Sequence, residues 1–334
     1  MLGLAAGLLA WFFRNVDLRR VASDIVRAHP GWLVLSLATM PVNLAIRALR
    51  WQYLLVPLGS VSFGNAFRAT AVGFAASSVL PARAGEIIRP YFLSRCERMS
   101  ATAAFATILI ERLLDATTVL VLLALFVFVF GRDLSVTNPL AFAGVAWAGA
   151  VAAVAAGVAL AVLFVLAGDP ARLASGMTRL EHGIPSRLAG LLSHVAEKFA
   201  RGLVAIRQPS RLLVALAWSF PLWLSIAVGI WAIAVAFDFT IPFTGSFLLM
   251  ALLVVGVAVP TPGAIGGFHE AFRFGATTFY GASNDAAIGA ALVLHVFSIG
   301  PSLLLGVVFA AREGLNLTKV RRLADRASEE GNPE

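Results

Sequence analysis

The stretch AVPTPGAIGGFHEAF, residues 258–272, decides how this sequence folds. It holds two prolines and three glycines, which interrupt a helix, and a glutamate directly after the interruption. Long apolar segments surround it. Broken backbone and a carboxylate are tolerated at membrane depth only where protein buries them or where they line a wet cavity. We therefore expect a re-entrant helical hairpin, whose two arms enter and leave the membrane on the same side.

The composition is typical of a polytopic membrane protein. The 334 residues are 59% hydrophobic and 13% charged, with a mean hydropathy of +0.86, whereas soluble domains carry roughly a quarter charged residues. Apolar runs long enough to span a bilayer, about 20 residues, recur along the chain. The apolar runs lie at about 2–13, 31–56, 64–80, 101–130, 139–167, 210–237, 244–259 and 284–312.

A second stretch, GFAASSVLPARAGEIIRPYF at 73–92, has the same plan as the opening one. Each is apolar, breaks at proline and glycine, and restarts with a glutamate followed three residues later by an arginine. A shift of 184 positions aligns the two without a gap. The aligned pairs are Glu86 with Glu270, Arg89 with Arg273, and Glu111 with His295. The shared order of span, interfacial helix, span, hairpin and span indicates an internal repeat.

Basic residues set the expected orientation. They cluster in residues 172–211 and from residue 312 onward, and both clusters should be cytoplasmic. The two hairpins then lie on opposite sides, which predicts an inverted repeat, and both termini are expected in the cytoplasm. Arg14, Arg19, Arg20 and Arg27 run against this orientation. Amphipathic stretches at 17–28 and 185–207 suit helices in the membrane interface.

The predicted fold is all-α and polytopic, with about six transmembrane helices plus two re-entrant hairpins. A single transmembrane domain would cover 1–312, with inverted halves at about 1–130 and 139–312, and 313–334 would form a cytoplasmic tail. An inverted repeat with one broken helix in each half is typical of transporters, whose substrate binds near the midplane at the breaks.

The net charge of +8 does not indicate nucleic-acid binding, because the basic residues alternate with apolar runs instead of forming one soluble face. Anionic lipid head groups are their expected partner. We expect no metal or other cofactor, since HEAFR lacks the second histidine of a zinc-protease motif and no phosphate-binding loop is present. Gly3 and Gly7 form a small-residue pattern that favours tight packing and leaves a homo-oligomer open.

Three charged residues interrupt the apolar run ATILIERLLDATTVLVLLAL: Glu111, Arg112 and Asp115. Glu111 and Asp115 are one helical turn apart. Each charge costs about 2.5–3.5 kcal/mol at a bilayer centre, so all three need partners. A structural ion-pair cluster is one interpretation and a polar lining that holds a head group is the other; the two are compatible.

A second group, Asn43, Arg47 and Arg50, shares one helical face in NLAIRALRW. Arg47 lies deeper in the apolar run and is the better candidate for a buried role. Arg50, beside Trp51 and Tyr53, has an alternative interpretation as an interfacial anchor. A guanidinium held in place suits the recognition of phosphate.

The two breaks supply the remaining candidates. A helix that restarts after Gly85 offers free N–H groups to an anion, and Glu86 has the alternative role of stabilising the helix dipole. His295 is alone on an apolar face, where a satisfied core histidine is the more common role. The first break contributes Pro81, Arg83, Gly85, Glu86 and Arg89, and the second contributes Pro260, Pro262, Gly263, Gly266, Gly267, Glu270 and Arg273.

These residues carry a resemblance to a known family. RALRWQYLL, SSVLPARAGEIIRPYFL, ILIERLLD and PTPGAIGGFHEAF together resemble the transmembrane, flippase-type domain of lysylphosphatidylglycerol synthases and its stand-alone bacterial and archaeal relatives, over about residues 10–312. In the family the second break resembles PTPGGLG followed by a glutamate. Here Ala264 and Ile265 replace Gly-Leu, and Phe268 and His269 precede Glu270.

The resemblance implies the handling or translocation of lipids in the bacterial cytoplasmic membrane, either anionic phospholipids or polyprenyl- and hopanoid-type lipids. The synthases also carry a soluble aminoacyl-transfer domain, so the resemblance to their membrane region implies no enzymatic activity. We therefore expect a flippase. A membrane-embedded head-group transferase and a non-catalytic scaffold of a lipid-synthesis complex are the alternatives.

Overall fold

The computed structural model describes residues 7, 12, 16–80, 84–131, 134, 138–168, 208–259 and 261–312. In these ranges the chain is helical and contains no strand, which confirms the all-α polytopic class. The helices are α1 (Leu18–Arg27), α2 (Pro30–Leu55), α3 (Phe63–Val79), α4 (Gly85–Glu97), α5 (Ala101–Leu125), α6 (Pro139–Gly168), α7 (Pro209–Ala236), α8 (Gly245–Ala258), α9 (Gly267–Tyr280) and α10 (Asn284–Arg312).

Five helical segments of the described chain are long and apolar enough to cross a membrane. They are Pro30–Leu58, Ala101–Phe130, Pro139–Ala159, Ser210–Ala236 and Asn284–Arg312. Five of the six expected spans are thus confirmed in length and composition. The sixth, at 2–13, lies almost wholly outside the described residues, as do the interfacial stretch at 185–207 and the tail at 313–334.

The shorter helices form two hairpins, α3 with α4 and α8 with α9, at the positions that the prolines and glycines predict. Each hairpin closes through two glycines. A Cβ on Gly85 would overlap the carbonyl oxygen of Gly73, and one on Gly267 would overlap that of Gly256. The two backbones of each hairpin therefore touch directly, which any larger residue would prevent.

The two halves interlock. Helices α2 and α7, which hold equivalent positions in the two halves, share the most extensive contact, and each carries an internal proline, Pro41 or Pro221. Ser36 Oγ donates to Gly229 O at 2.9 Å and joins them directly. The last span of each half packs on the hairpin of the other: α10 on α3, and α5 on α8. The centre of the molecule is thus built by both halves of the repeat.

Candidate functional site

A cavity of about 730 Å³ lies where the hairpins meet α2, α5, α7 and α10. The turn Pro262–Ala264 of the second hairpin packs on α3, and a Cβ on Gly263 would stand 3.3 Å from Ser78 O. The hairpins therefore touch beside the cavity. Polar and charged lining comes mainly from the first half, and much of the second half's contribution is apolar, including Val254, Val257 and Phe268.

Arg50 is the centre of a buried ion-pair cluster behind this cavity. Its side chain is fully buried, and its Nη1 lies 2.7 Å from Asp115 Oδ1 and 2.6 Å from Ser219 Oγ. Its Nη2 lies 3.5 Å from Glu111 Oε1. One arginine thus bridges the two carboxylates that one turn of α5 places on the same face. The interpretation of Arg50 as an interfacial anchor is wrong, because the contact between α2 and α5 buries it.

Arg89 joins the first hairpin to this cluster. Its Nη1 donates to Glu111 Oε2 at 2.7 Å, and its guanidinium lies 3.8 Å from the centre of the Trp51 ring. Arg89 is 3% exposed and lines the cavity, yet among the described residues its Nε and Nη2 have no hydrogen-bond partner. Buried donors are rarely left unsatisfied, so this guanidinium keeps a hydrogen-bonding capacity that the described residues do not use.

Arg47 lines the same cavity from α2. Its Nε donates to Asn43 Oδ1 at 3.0 Å, and its Nη1 lies 3.4 Å from Asp115 Oδ2. Asn43 is held in turn by Leu222 O, which accepts from its Nδ2 at 3.1 Å. Asp115 also accepts from Trp223 Nε1 at 3.0 Å. The long contact from Arg47 is therefore a minor part of what satisfies Asp115.

The buried cluster has an excess of positive charge. Three guanidinium groups, Arg47, Arg50 and Arg89, face two carboxylates, Glu111 and Asp115, which leaves one positive charge in excess among the described buried residues. At the edge of the cavity Arg112 and Glu86, each about one-third exposed, balance one another at 3.7 Å. An uncompensated charge in a site of low dielectric attracts a counter-ion strongly.

Glu270 and Arg273, the equivalents of Glu86 and Arg89, are not part of the cavity. Arg273 Nε lies 2.9 Å from Glu270 Oε2, and Arg273 Nη1 lies 3.0 Å from Asn284 Oδ1. Neither side chain lines the cavity. Their predicted contact with the substrate stays a prediction without support from a shared cavity.

The second break adopts the backbone that its glycines predict. Gly263 has a φ of 62° and Gly266 a φ of 91°, in the region that L-residues avoid, and Ala264 also has a positive φ, of 57°. His295 Nε2 lies 2.7 Å from Gly263 O and thus contacts the break rather than the cavity. Three predicted residues, Pro81, Arg83 and Pro260, lie outside the described residues.

Sequence reasoning missed three side chains that help to build the site. Ser219 and Trp223 hydrogen-bond to the charged cluster from α7, and His269 contacts His295. The spacing of Ser219 and Trp223, one turn apart in an apolar helix, marks a shared face. That face packs against α2. The sequence similarity between α2 and α7 indicates that they are equivalent helices of the repeat, and it was the signal that could have drawn attention to Ser219 and Trp223.

Comparison with known proteins agrees with this architecture. Residues 1–306 match the family described as the lysylphosphatidylglycerol synthase TM region. The chain is also 28% identical over 115 residues to the UPF0104 membrane protein of Methanocaldococcus jannaschii. That match spans about a third of each chain, 34% of either length. Because the family match extends over nearly the whole sequence, the chain belongs to the family of membrane proteins defined by the lysylphosphatidylglycerol synthase transmembrane region.

Proposed function

We propose that this protein is a flippase, which binds the anionic head group of a lipid in the cavity and moves it across the cytoplasmic membrane. The observation that carries the proposal is the buried charged cluster, which has one positive charge in excess and places Arg47 and Arg89 in the lining of the cavity. Family membership, which points to lipid biosynthesis or translocation, also supports a lipid as the substrate. The lipid would be an anionic phospholipid or a polyprenyl- or hopanoid-type lipid.

The arrangement of polar and apolar surface supports a lipid substrate. The charged groups lie inside, while the spans present apolar side chains outward, such as Val296, Leu304 and Val307 on α10. A head group bound inside would leave its acyl chains in contact with these outer faces. Only the polar part of the lipid then needs protein along its path, since hydrocarbon already surrounds the rest.

The ion pairs of the cluster differ in how readily they can be exchanged. Asp115 is held firmly by Arg50 at 2.7 Å and by Trp223 at 3.0 Å, whereas Arg47 contacts it at 3.4 Å and Arg112 at 3.8 Å. A phosphate in the cavity could bind Arg47 and Arg89 without leaving Asp115 unpaired. Guanidinium groups bind phosphate well because their planar donors match its oxygens.

The test is a head-group translocation assay in liposomes with purified Arg47→Gln. The variant should fold, because Asp115 keeps its two short contacts. Loss of a charge-assisted hydrogen bond costs about 1.5–3 kcal/mol, so the rate should fall about tenfold or more. Arg211→Gln is the matched control, since Arg211 stacks on Tyr53 away from the cavity.

Two results would overturn the proposal. One is a wild-type protein that moves lipid no faster than protein-free liposomes for every anionic lipid class tried. The other is a rate for Arg47→Gln equal to that of the wild type and of Arg211→Gln. A chemically altered lipid in the same vesicles, detected by mass spectrometry, would point instead to a head-group transferase.

A further inference from the structure

Two imidazoles lie together behind the apolar wall of the cavity. His269 is in the first turn of α9 and His295 is in α10, and their ring centroids are 4.5 Å apart. Neither lines the cavity, whereas Phe268, which does, lies 5.1 Å from the ring of His295. The ring of Phe12 covers His269 from the other side at 5.2 Å. His269 is buried and His295 is partly buried, and the pair is separate from the arginine cluster.

Each imidazole fastens one end of the second break. His269 Nδ1 accepts a hydrogen bond from the Gly266 N–H at 3.3 Å, and His295 Nε2 donates to Gly263 O at 2.7 Å. Both glycines have a positive φ. A backbone of this kind persists only where its surroundings hold it in place. The contact with Gly266 requires His269 to be unprotonated at Nδ1, so the observed geometry of His269 is that of the neutral side chain.

Protonation of His269 would undo its contact with Gly266 for two reasons. The imidazolium has no acceptor, so its Nδ1–H would face the Gly266 N–H. The new charge would also lie in the first turn of α9, where the helix dipole is already positive. The contact from His295 Nε2 to Gly263 O would persist, because a protonated ring still donates, so the Gly266 end of the break is the end that is released.

Among the described residues, the titratable group that faces each imidazole is the other imidazole. On α9 itself, Glu270 is occupied by Arg273, and Tyr280 donates to Gly245 O. Helix α8 carries no ionisable side chain. None of the ionisable groups on the other elements packed nearby forms an ion pair with either imidazole in the described chain. They are Arg19, Arg20, Asp24, Arg27, His29, Arg47, Arg50, Arg68, Arg211, Asp238, Asp285 and Arg312.

We propose that His269, paired with His295, is a proton-binding site that fastens the Gly266 end of the second break when His269 is neutral and releases it when His269 is protonated. The consequence reaches the cavity, because Gly266 belongs to the same short turn as Gly263, which abuts Ser78 where the two hairpins touch. Acidification on the side that reaches this pair would therefore loosen the contact between the hairpins. That this contact controls lipid movement rests on the proposed function; the proton-dependent fastening does not.

The experiment measures amide hydrogen exchange of residues 261–270 in the full-length protein in lipid nanodiscs. Protection is expressed relative to the intrinsic exchange rate at each pH, from about pH 8 to about pH 5, where histidine titrates. Wild-type protection of this segment should fall about tenfold or more as the pH drops, which corresponds to loss of one hydrogen bond.

His269→Gln is the decisive variant. Glutamine at the third helical position accepts a hydrogen bond from the backbone N–H of the capping residue, as His269 does here, and it does not titrate. The variant should keep the high-pH protection of the segment at every pH. His269→Ala, which lacks the acceptor, should show the low protection throughout, and unfolding of the whole protein would show as lost protection in α2 as well.

The proposal is overturned if wild-type protection of the segment does not change with pH, or if His269→Gln loses protection as the wild type does. Lipid translocation measured at the same pH values gives a separate result. A pH-dependent rate in the wild type that becomes pH-independent in His269→Gln links the site to transport. If protection of residues 261–270 changes with pH but no lipid is moved, the proposed flippase is refuted and the proposed proton-binding site is supported.

Discussion

The same pair of residues behaves differently in the two hairpins. Glu270 and Arg273 of the second hairpin bind each other, through contacts of 2.5 and 2.9 Å. Glu86 and Arg89 have the same spacing in the first hairpin, yet each binds a residue of α5: Arg89 reaches Glu111 at 2.7 Å and Glu86 reaches Arg112 at 3.7 Å. The glutamate and arginine of the second hairpin thus pair with each other, whereas those of the first hairpin pair with residues of α5.

The difference comes from the helix that follows each hairpin. Helix α5 offers Glu111 and Arg112 at the positions where α10 offers His295 and Val296. An opposite charge on the neighbouring helix draws Glu86 and Arg89 apart, and two buried donors of Arg89 have no partner among the described residues. Without such a charge, Glu270 and Arg273 satisfy one another. The first half thus carries the excess positive charge, whereas the second half places two imidazoles against the backbone of its hairpin.

The largest expected effect is the difference in stability loss between a variant of the buried ion-pair cluster and a variant of the partly exposed Glu270–Arg273 pair. Arg50→Met leaves Glu111 and Asp115 with less compensation in a fully buried site, and breaking a buried pair costs about 3–5 kcal/mol. Arg273→Met removes a partner from a pair that is partly exposed and local to one turn, so the loss should be about 1 kcal/mol or less. Unfolding of both variants in mixed micelles compares the two.

A double variant sharpens this test. Adding Asp115→Asn to Arg50→Met removes one of the two carboxylates that lost their partner, so part of the stability should return. Adding Glu270→Gln to Arg273→Met should change little. Equal losses for the two single arginine variants would show that the halves do not differ as described.

A second prediction concerns the close glycine contact between the two arms, which both hairpins have. Gly85→Ala and Gly267→Ala each place a Cβ against the backbone of the opposite arm. The arms must separate, and forcing an extra carbon into a packed site costs about 1–3 kcal/mol. Gly64→Ala is the matched control, since no atom lies within 4 Å of its added Cβ, and alanine favours a helix. Thermal unfolding should rank both hairpin variants below the control, by similar amounts.

Much of the fold could be predicted because the apolar runs and the breaks have strong physical requirements. Proline and glycine within an apolar segment fix where each hairpin turns. Charges in hydrocarbon must find partners, so the sequence predicts that Glu111 and Asp115 are paired without saying with which residues. The structure pairs Glu111 with Arg50 and Arg89, and Asp115 with Arg47 and Arg50.

Partner choice could not be predicted to the same extent. Helical spacing shows which residues share a face, but it does not show which neighbouring helix that face meets. Arg50 lies near the end of an apolar run, where an interfacial anchor is plausible, and only the packing of α2 on α5 and α7 reveals its burial. His269 was not predicted because it accepts a hydrogen bond from the backbone of the break. Helical spacing in the sequence does not predict the conformation of a non-helical turn.

The smallest expected effect lies in the second break itself. Ala264 has a φ of 57°, where an L-residue is strained by about 1–2 kcal/mol and glycine is not. Glycine also gains freedom in the unfolded chain, which offsets about 0.4–1 kcal/mol, so Ala264→Gly should stabilise the protein by about 0.5 kcal/mol. Ala264→Val should destabilise it, because a β-branched residue tolerates this region least. The two unfolding midpoints should thus move in opposite directions. A loss of stability in Ala264→Gly would mean that the break does not hold Ala264 in the left-handed region. The contacts of His269 and His295 with the break would then differ from those described above.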